Sequence, residues 1–334
     1  MKKTKQDVAH FIGIDVGAEE LHLVRRSAGQ SSKPQRCFNR PRDCQQLAKK
    51  LAKVPNLIVC LEATGVYHQD LALALHDAGV RVMVLNPKVA HNFAKVLRRD
   101  SKTDPLDADT LAQYAERMPF EPWARPSTSA LQLRALSRRI ETLTSEKAAA
   151  KNQLHALGFS AETPKSVLND VRKGIKQLEQ RIAALSKEAL ALISTQPALE
   201  RPYQLLLSVK GIAQTSAIAL LGELLMLPGG LTHKQWVKFA GLYPRQGDSG
   251  KSVHKEPRLS KAGNRYIRKA MYMPALSAKA HDPYVKAYFE HLIAAGKKPL
   301  QAVCAVMRKL LHAIHGMFKN NQPFDNTRFY ALTA

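Results

Sequence analysis

Four carboxylates stand where a folded chain can bring them together. Asp15 follows the apolar run HFIGI, Glu62 follows the apolar run LIVCL, and Asp104 and Asp107 lie in KTDPLDAD. Strand ends carry side chains to the rim of a sheet, where open α/β folds bind their ligands. Pro105 suits the first turn of a helix. The i, i+3 spacing then puts Asp104 and Asp107 on one face near that helix's start. Converging carboxylates repel unless a cation sits between them, and hard oxygen ligands select Mg²⁺ or Mn²⁺. Two such ions clamp the attacking and leaving oxygens of a phosphodiester. The chemistry these acids suit is nucleic-acid cleavage or strand transfer. Asp109 reads as solvated, outside this set.

A second group surrounds Ser249 in GDSGKSV. It is a serine between small residues, with Arg245, Lys251, His254, Lys255 and Arg258 close in sequence. Such cations favour an alkoxide and stabilise charge on a pentacoordinate phosphorus. The same loop also reads as a simple phosphate contact. Lys261, Arg265 and Arg268 extend the candidate contacts to a nucleic-acid backbone.

These residues need elements to position them. His10–Ile14 and Glu20–Val24 read as paired strands. Leu57–Leu61, the helical spacing of Leu71, Leu75 and Ala78 within Tyr67–Ala78, and Arg81–Leu85 read as strand, helix, strand. That rhythm implies a parallel pair with a crossover helix. Pro119, Pro122 and Pro126 mark a linker over residues 119–130. Beyond it, Leu133, Leu136, Ile140 and Leu143 start a helical stripe that Ala150, Leu154 and Leu157 resume. Residues 158–164 break it, and Val171, Ile175, Leu178, Ile182, Leu185, Ala189 and Leu192 keep heptad phase. The reading is an antiparallel helical hairpin or coiled coil, preferably an oligomerisation arm rather than a bundle buried in one monomer. From Tyr203 the chain reads as helical and basic. LSVKG followed by IAQTSAIALL is similar to a helix-hairpin-helix, whose turn offers N–H groups to a phosphate.

The bulk numbers agree. The 334 residues carry 51 Lys and Arg against 27 Asp and Glu, a net +24. The excess is uneven: residues 201–334 hold 20 basic residues against 6 acidic, residues 1–120 hold 19 against 13. A compact chain so charged is relieved by a polyanion, so the C-terminal third is the expected phosphate-binding surface. Aromatics at 6% argue against a β-rich protein. Cys37, Cys44, Cys60 and Cys304 lack CxxC spacing, so neither a zinc site nor a disulfide framework is expected. No signal peptide or long apolar run is present, and a cytoplasmic, reducing location without a membrane partner is expected. GIDVG is also similar to the first phosphate loop of actin-like and sugar-kinase ATPases, but no second DxG loop or glycine-rich adenosine site accompanies it.

The runs FIGIDVGAEELHLV, LEATGVYHQDLALALHDAGVRVMVLNP and KTDPLDAD resemble the DEDD-type insertion-sequence transposases, relatives of the Piv and MooV DNA invertases. VKGIAQTSAIALLGEL, FAGLYPRQGDSGKSV and RLSKAGNRYIRKAMYMPA resemble that family's second domain. The resemblance implies an α/β plus α architecture in three parts: a ribonuclease H-like (RuvC-like) domain at 8–120, a coiled-coil hairpin at 127–196 and a C-terminal transposase domain at 200–325. It implies that Asp15, Glu62, Asp104 and Asp107 are the metal acids and Ser249 the nucleophile. It also implies donor and target DNA as partners, a structured non-coding guide RNA, and a dimer or tetramer with acids and serine contributed by different protomers. Lys251 stands where the family pattern often has Ser, so Ser252 is the second candidate nucleophile. Two alternatives stay open: a junction-type nuclease in which water attacks, and a nucleic-acid-binding protein without catalysis.

Overall fold

The computed structural model describes residues 9–97, 103–245 and 258–332, which divide into two compact units at Arg125/Pro126. The first unit is mixed α/β. Its strands are β1 (His10–Val16), β2 (Glu20–Ser27), β3 (Gln30–Ser31), β4 (Gln35–Phe38), β5 (Leu57–Glu62) and β6 (Arg81–Leu85). The order is β3-β2-β1-β5-β6, with β4 also on β2. β1 pairs β2 antiparallel, and β1–β5 and β5–β6 pair parallel, as the strand–helix–strand rhythm required.

Helices α1 (Pro41–Leu51), α2 (Gln69–Asp77), α3 (Pro87–Val96) and α4 (Asp104–Arg117) cover the sheet. β5 explains why LIVCL reads as unbroken apolar sequence: Leu57, Val59 and Leu61 join the core with α1 and α2, while Ile58 and Cys60 face the core with α3 and α4. A strand covered on both faces loses its polar alternation. Sequence reading missed α1 and α3. In α1 only Cys44, Ala48 and Leu51 are buried, three small or modest residues among lysines and glutamines.

The proline-rich segment is not a free linker. Trp123 N donates to the Val82 carbonyl (2.8 Å), and Arg125 Nε donates to Asp77 (2.7 Å). Arg81 stacks on Phe120. The segment is strapped along β6 and α2.

The second unit is helical: α5 (Thr128–Leu157), α6 (Lys165–Ser194), α7 (Pro197–Leu207), α8 (Gln214–Leu224), α9 (His233–Ala240), α10 (Arg265–His281), α11 (Pro283–Ala294) and α12 (Pro299–Asn320), with a two-residue ribbon of β7 (Pro244–Arg245) and β8 (Arg258–Leu259). The hairpin expected at 127–196 is present as α5 and α6, but it is not a unit of its own. Leu133, Ile140, Ala189 and Ile193 belong to the same core as α7, α8, α10 and α12. The distal half lacks that cover: beyond Leu143, α5 has no fully buried residue, and Phe159 at the tip is 80% exposed. Among the described residues no helix is long and apolar enough to cross a membrane.

Candidate active site and nucleic-acid interface

The first unit gathers the acids. Parallel pairing sets Ile14 beside Leu61, so Asp15 and Glu62 end neighbouring strands at the same edge of the sheet. α4 begins at Asp104 with Pro105 in its first turn, and both Asp104 and Asp107 lie in that turn. The helix reaches β1 because residue 13 is glycine: a Cβ there would stand 1.9 Å from the Ala108 carbonyl oxygen and 2.3 Å from the Ala112 nitrogen. No side chain fits, and the helix lies directly on the strand that carries Asp15.

A buried arginine fixes the helix from its other end. Arg26, 7% exposed, donates from Nε to Glu116 (2.8 Å) and from Nη1 to Ser31 (2.6 Å), and Ser31 donates to Asp109 (2.5 Å). Gln113 also donates to Asp109 (2.9 Å). Asp109 is therefore no solvated bystander, because it ties α4 to β2 and β3. Removing one partner of such a network strands a buried charge, which is costly. Sequence reading missed Arg26 because its acidic partners, Glu116 and Asp109, lie more than 80 residues away.

The acids interact electrostatically. Asp15 is raised to about 6, first by burial and then by the negative charges of Asp107, Asp104 and Glu62; His22 opposes the shift. His22 sits opposite Asp15 in the β1–β2 register, and its Nε2 lies 3.7 Å from Asp104. Among the described residues no group of three or more acidic, histidine or cysteine side chains is drawn together as a formed metal site. The donor chemistry nonetheless fits a hard divalent cation, with oxygen ligands only and a mutual repulsion that a cation would relieve.

The sign of this shift gives a prediction. A carboxyl whose folded pKa is raised favours the folded state while protonated, and that contribution is lost as pH rises from about 4 to about 6. The metal-free protein should therefore melt at lower temperature at pH 7.5 than at pH 5. Mg²⁺ or Mn²⁺ should raise the midpoint more at pH 7.5, where it competes with no proton. Asp15→Asn should shrink both effects. Differential scanning fluorimetry with and without metal reads them, and a metal shift equal at both pH values would contradict the role of Asp15.

The second unit holds the segments that flank the serine motif in sequence. Ser249, Ser252, Lys251, His254 and Lys255 lie outside the described residues. Their flanks are well defined: Arg245 pairs with Arg258 across the β7–β8 ribbon. Below it, Gly241 adopts φ 67° and Gly263 φ 128°, and a Cβ on Gly263 would stand 2.1 Å from the Phe239 carbonyl. Asn264 N donates to that same oxygen (2.7 Å), and the Asn264 side chain caps α10. It also donates to buried Glu223, which Arg138 holds from α5. Ser260 N donates to the Tyr243 carbonyl (2.9 Å) and Lys261 N to the Gly241 carbonyl (3.2 Å), so the two flanks are tied to each other. Arg245, Arg258, Lys261 and Arg265 are exposed. Arg268 is half-buried and donates to the Ala240 carbonyl (2.8 Å), so it braces these flanks. Lys261 holds φ 54°, a left-handed position unusual for lysine.

In the helix-hairpin-helix-like stretch, α7 and α8 are joined by a short turn at 208–213. Gly211, at φ 100°, packs against α10: a Cβ there would meet the Pro274 carbonyl at 2.7 Å. The glycine serves close packing of that turn.

Two family models match the chain. One, described as a transposase, spans residues 12–157; the other, described as the transposase IS116/IS110/IS902 family, spans 203–290. The chain is 30% identical to the pilin gene-inverting protein of Moraxella lacunata over 274 residues, covering 80% of this chain and 82% of that one. It is 29% identical to the protein of the same description from Moraxella bovis, with the same coverage. Identity to the transposase for insertion sequence element IS1328 of Yersinia enterocolitica is 25%, over 78% of this chain and 81% of that one. Among solved structures, T. thermophilus RuvC in complex with a Holliday junction substrate aligns with 34% of this chain at 16% identity and a TM-score of 0.24.

Proposed function

Since the chain belongs to the IS116/IS110/IS902 transposase family, we propose that it cuts and joins DNA through a covalent phosphoserine at Ser249, with Asp15, Glu62, Asp104 and Asp107 as the residues that hold a divalent metal. It is a DNA recombinase of the transposase class. The observation that carries the finer reading is the gathering of three further acids around Asp15, with Asp107, Asp104 and Glu62 all acting on its charge. A ribonuclease H-like reading of the first unit rests on its sheet, in which β1, β3 and β4 pair antiparallel with β2, and β5 and β6 continue parallel from β1.

The metal, Mg²⁺ or Mn²⁺, would supply charge neutralisation at the scissile phosphate. The chain's own residues account for the rest. The Ser249 hydroxyl oxygen attacks phosphorus, and the bond to the 3′ oxygen breaks. That oxygen takes up a proton, and the 5′ phosphate stays on the serine. A 3′ hydroxyl of another strand then attacks the phosphoserine and frees the serine. One ester is exchanged for another at each step, so no external energy is needed. Arg245 and Arg258, paired across the β7–β8 ribbon, are suited to hold the flanking phosphates, with Lys251, His254, Lys255, Lys261, Arg265 and Arg268 as further candidate contacts.

The distal hairpin, with Phe159 and Val167 exposed, supports self-association through α5 and α6. In such an oligomer the acids of one protomer serve the serine of another. The net charge leaves room for two polyanions, and a structured guide RNA is the second. Sequencing RNA that co-purifies with the protein should return one defined structured transcript; random cellular RNA would count against it.

DNA binding should fall steeply with salt. Six phosphate contacts give a slope of log K against log salt of about −5. Fluorescence anisotropy across 50–300 mM NaCl measures it, and a slope near zero would refute the charge argument. The chemistry is tested on denaturing gels with end-labelled DNA: the serine route leaves protein on the 5′ end, whereas attack by water leaves free ends.

A further inference from the structure

The strongest unassigned feature is a cavity of about 340 Å³ between the last turns of α12 and the chain that follows it. This is within the size range of small-ligand sites, roughly 300–1,000 Å³. One face of α12 lines it, with Lys309, His312, Gly316 and Asn320 at helical spacing. Gln322 and Phe324 close the other side. The wall is preformed: Arg201 donates to the Asn321 side chain (2.6 Å) and backbone carbonyl (2.9 Å), and Phe324 N donates to Ser208 Oγ (2.8 Å).

Three features of that face bear on a ligand. Gly316 sits in mid-helix, where glycine costs about 1 kcal/mol relative to alanine. A Cβ there would meet nothing within 4 Å, so packing does not demand the glycine. Its effect is to leave the cavity floor open. Lys309 is partly buried over the rings of Tyr288 (4.2 Å), Phe329 (5.1 Å) and Tyr330 (5.3 Å), and burial alone lowers its pKa. Among the described residues no carboxylate pairs with it. His312 has a buried Nε2 without a hydrogen-bond partner. Burial, His233 and Arg308 push that imidazole down to about 4, so it is neutral.

The rim carries Arg328 and one acid, Asp325, which accepts from Thr327 and pairs with Arg328 (3.2 Å). The cavity thus offers an ammonium with no counter-ion, a neutral imidazole, two carboxamides and an aromatic wall. Those groups match an anionic phosphate joined to a planar, hydrogen-bonding ring.

We propose that this cavity binds one unstacked nucleotide of a single strand, with its base against Phe324, its edge toward Asn320 and Gln322, and its phosphate toward Lys309. This rests on the reading of the chain as a nucleic-acid recombinase. A strand is favoured over a free nucleotide because the wider surface of the C-terminal third is strongly basic and can hold flanking phosphates.

The test uses the full chain with a single-stranded 12-mer carrying one 5-iodouracil, with dTMP as the free-nucleotide probe and a duplex 12-mer as reference. Light-induced cross-links are expected on the peptide spanning residues 320–329. Gly316→Leu, which fills the cavity, and Phe324→Ala, which removes the wall, should abolish that cross-link. Each should weaken single-strand binding roughly tenfold, as loss of one stacked base does, with duplex binding unchanged. Thermal melts check folding, and the milder Phe324→Ala keeps the test decisive if Gly316→Leu unfolds. Cross-links elsewhere, or unchanged single-strand affinity in both variants, overturns the proposal. So does dTMP binding as tightly as the 12-mer, which makes a free nucleotide the occupant. If the wild-type protein binds neither single strand nor duplex, the recombinase reading itself fails.

Discussion

Ser249→Ala is expected to abolish covalent protein–DNA adducts while leaving DNA binding within about twofold of wild type. Removing an attacking nucleophile costs factors of roughly 10⁴ to 10⁶ in rate. Ser252→Ala should leave adduct yield close to wild type. If Ser252→Ala removes the adduct and Ser249→Ala does not, the nucleophile is the later serine. The serine and the acids belong to different compact units, which gives the variant a second use. Asp15→Asn alone should also be inactive, through loss of a metal-holding carboxylate. Mixing Asp15→Asn with Ser249→Ala separates two arrangements. If acids and serine act within one chain, no mixed oligomer has an intact site. If they act between chains, a twofold mixed dimer has one intact and one doubly damaged site, and random mixing restores about a quarter of wild-type adduct. Yield from co-expressed, differently tagged subunits decides between them.

Gly13→Ala should also impair cleavage, though less than loss of the nucleophile, and residue 13 touches no substrate. The added methyl would lie 1.9 Å from a backbone oxygen of α4 and 2.3 Å from a backbone nitrogen. Neither is the free end of a flexible side chain, so the whole helix must shift. Overpacking of this kind costs about 1–3 kcal/mol, and a rigid backbone partner puts the site at the upper end. The melting midpoint of the first unit should drop by about 5–10 °C. The loss of cleavage should be larger, roughly 100-fold, because α4 carries Asp104 and Asp107 and displacements of about an ångström cost that much at a reacting centre. Gly174→Ala is the control: it lies within α6, its Cβ would meet nothing within 4 Å, and the change should be neutral or slightly stabilising. Measuring both melting and cleavage separates a shifted helix from an unfolded one. Full activity in a stable Gly13→Ala protein would mean that α4 does not position the acids.

Much of the site was legible in the sequence because its signals are local. An apolar run ending in an acid marks a strand end, and DPLD marks a helix start with two acids on one face. Asp15, Glu62, Asp104 and Asp107 were found that way, and the structure puts them on β1, β5 and the first turn of α4. The helical stripe through Leu133, Ile140 and Ile175 likewise disclosed the hairpin. Its division did not show: heptad phase looks the same whether a helix packs on its own monomer or on another. Only burial separates the half of α5 inside the core from the half beyond Leu143.

What the sequence determined by itself is the chemistry, which residue types are present and at what local spacing. What only the tertiary structure decided is which neighbours act on them. Gly13 reads as any glycine until α4 lies across it. Arg26 reads as a surface cation until Glu116, Ser31 and Asp109 surround it. Asp109 differs from Asp107 by two positions yet braces the helix from the side facing β2 and β3. Asp15 is an ordinary aspartate until burial and three more carboxylates raise its pKa to about 6. Coulomb interaction and steric contact depend on distance through space, and the fold brings together groups from distant stretches of the chain. The four acids are therefore a list in sequence and a coupled site in the fold.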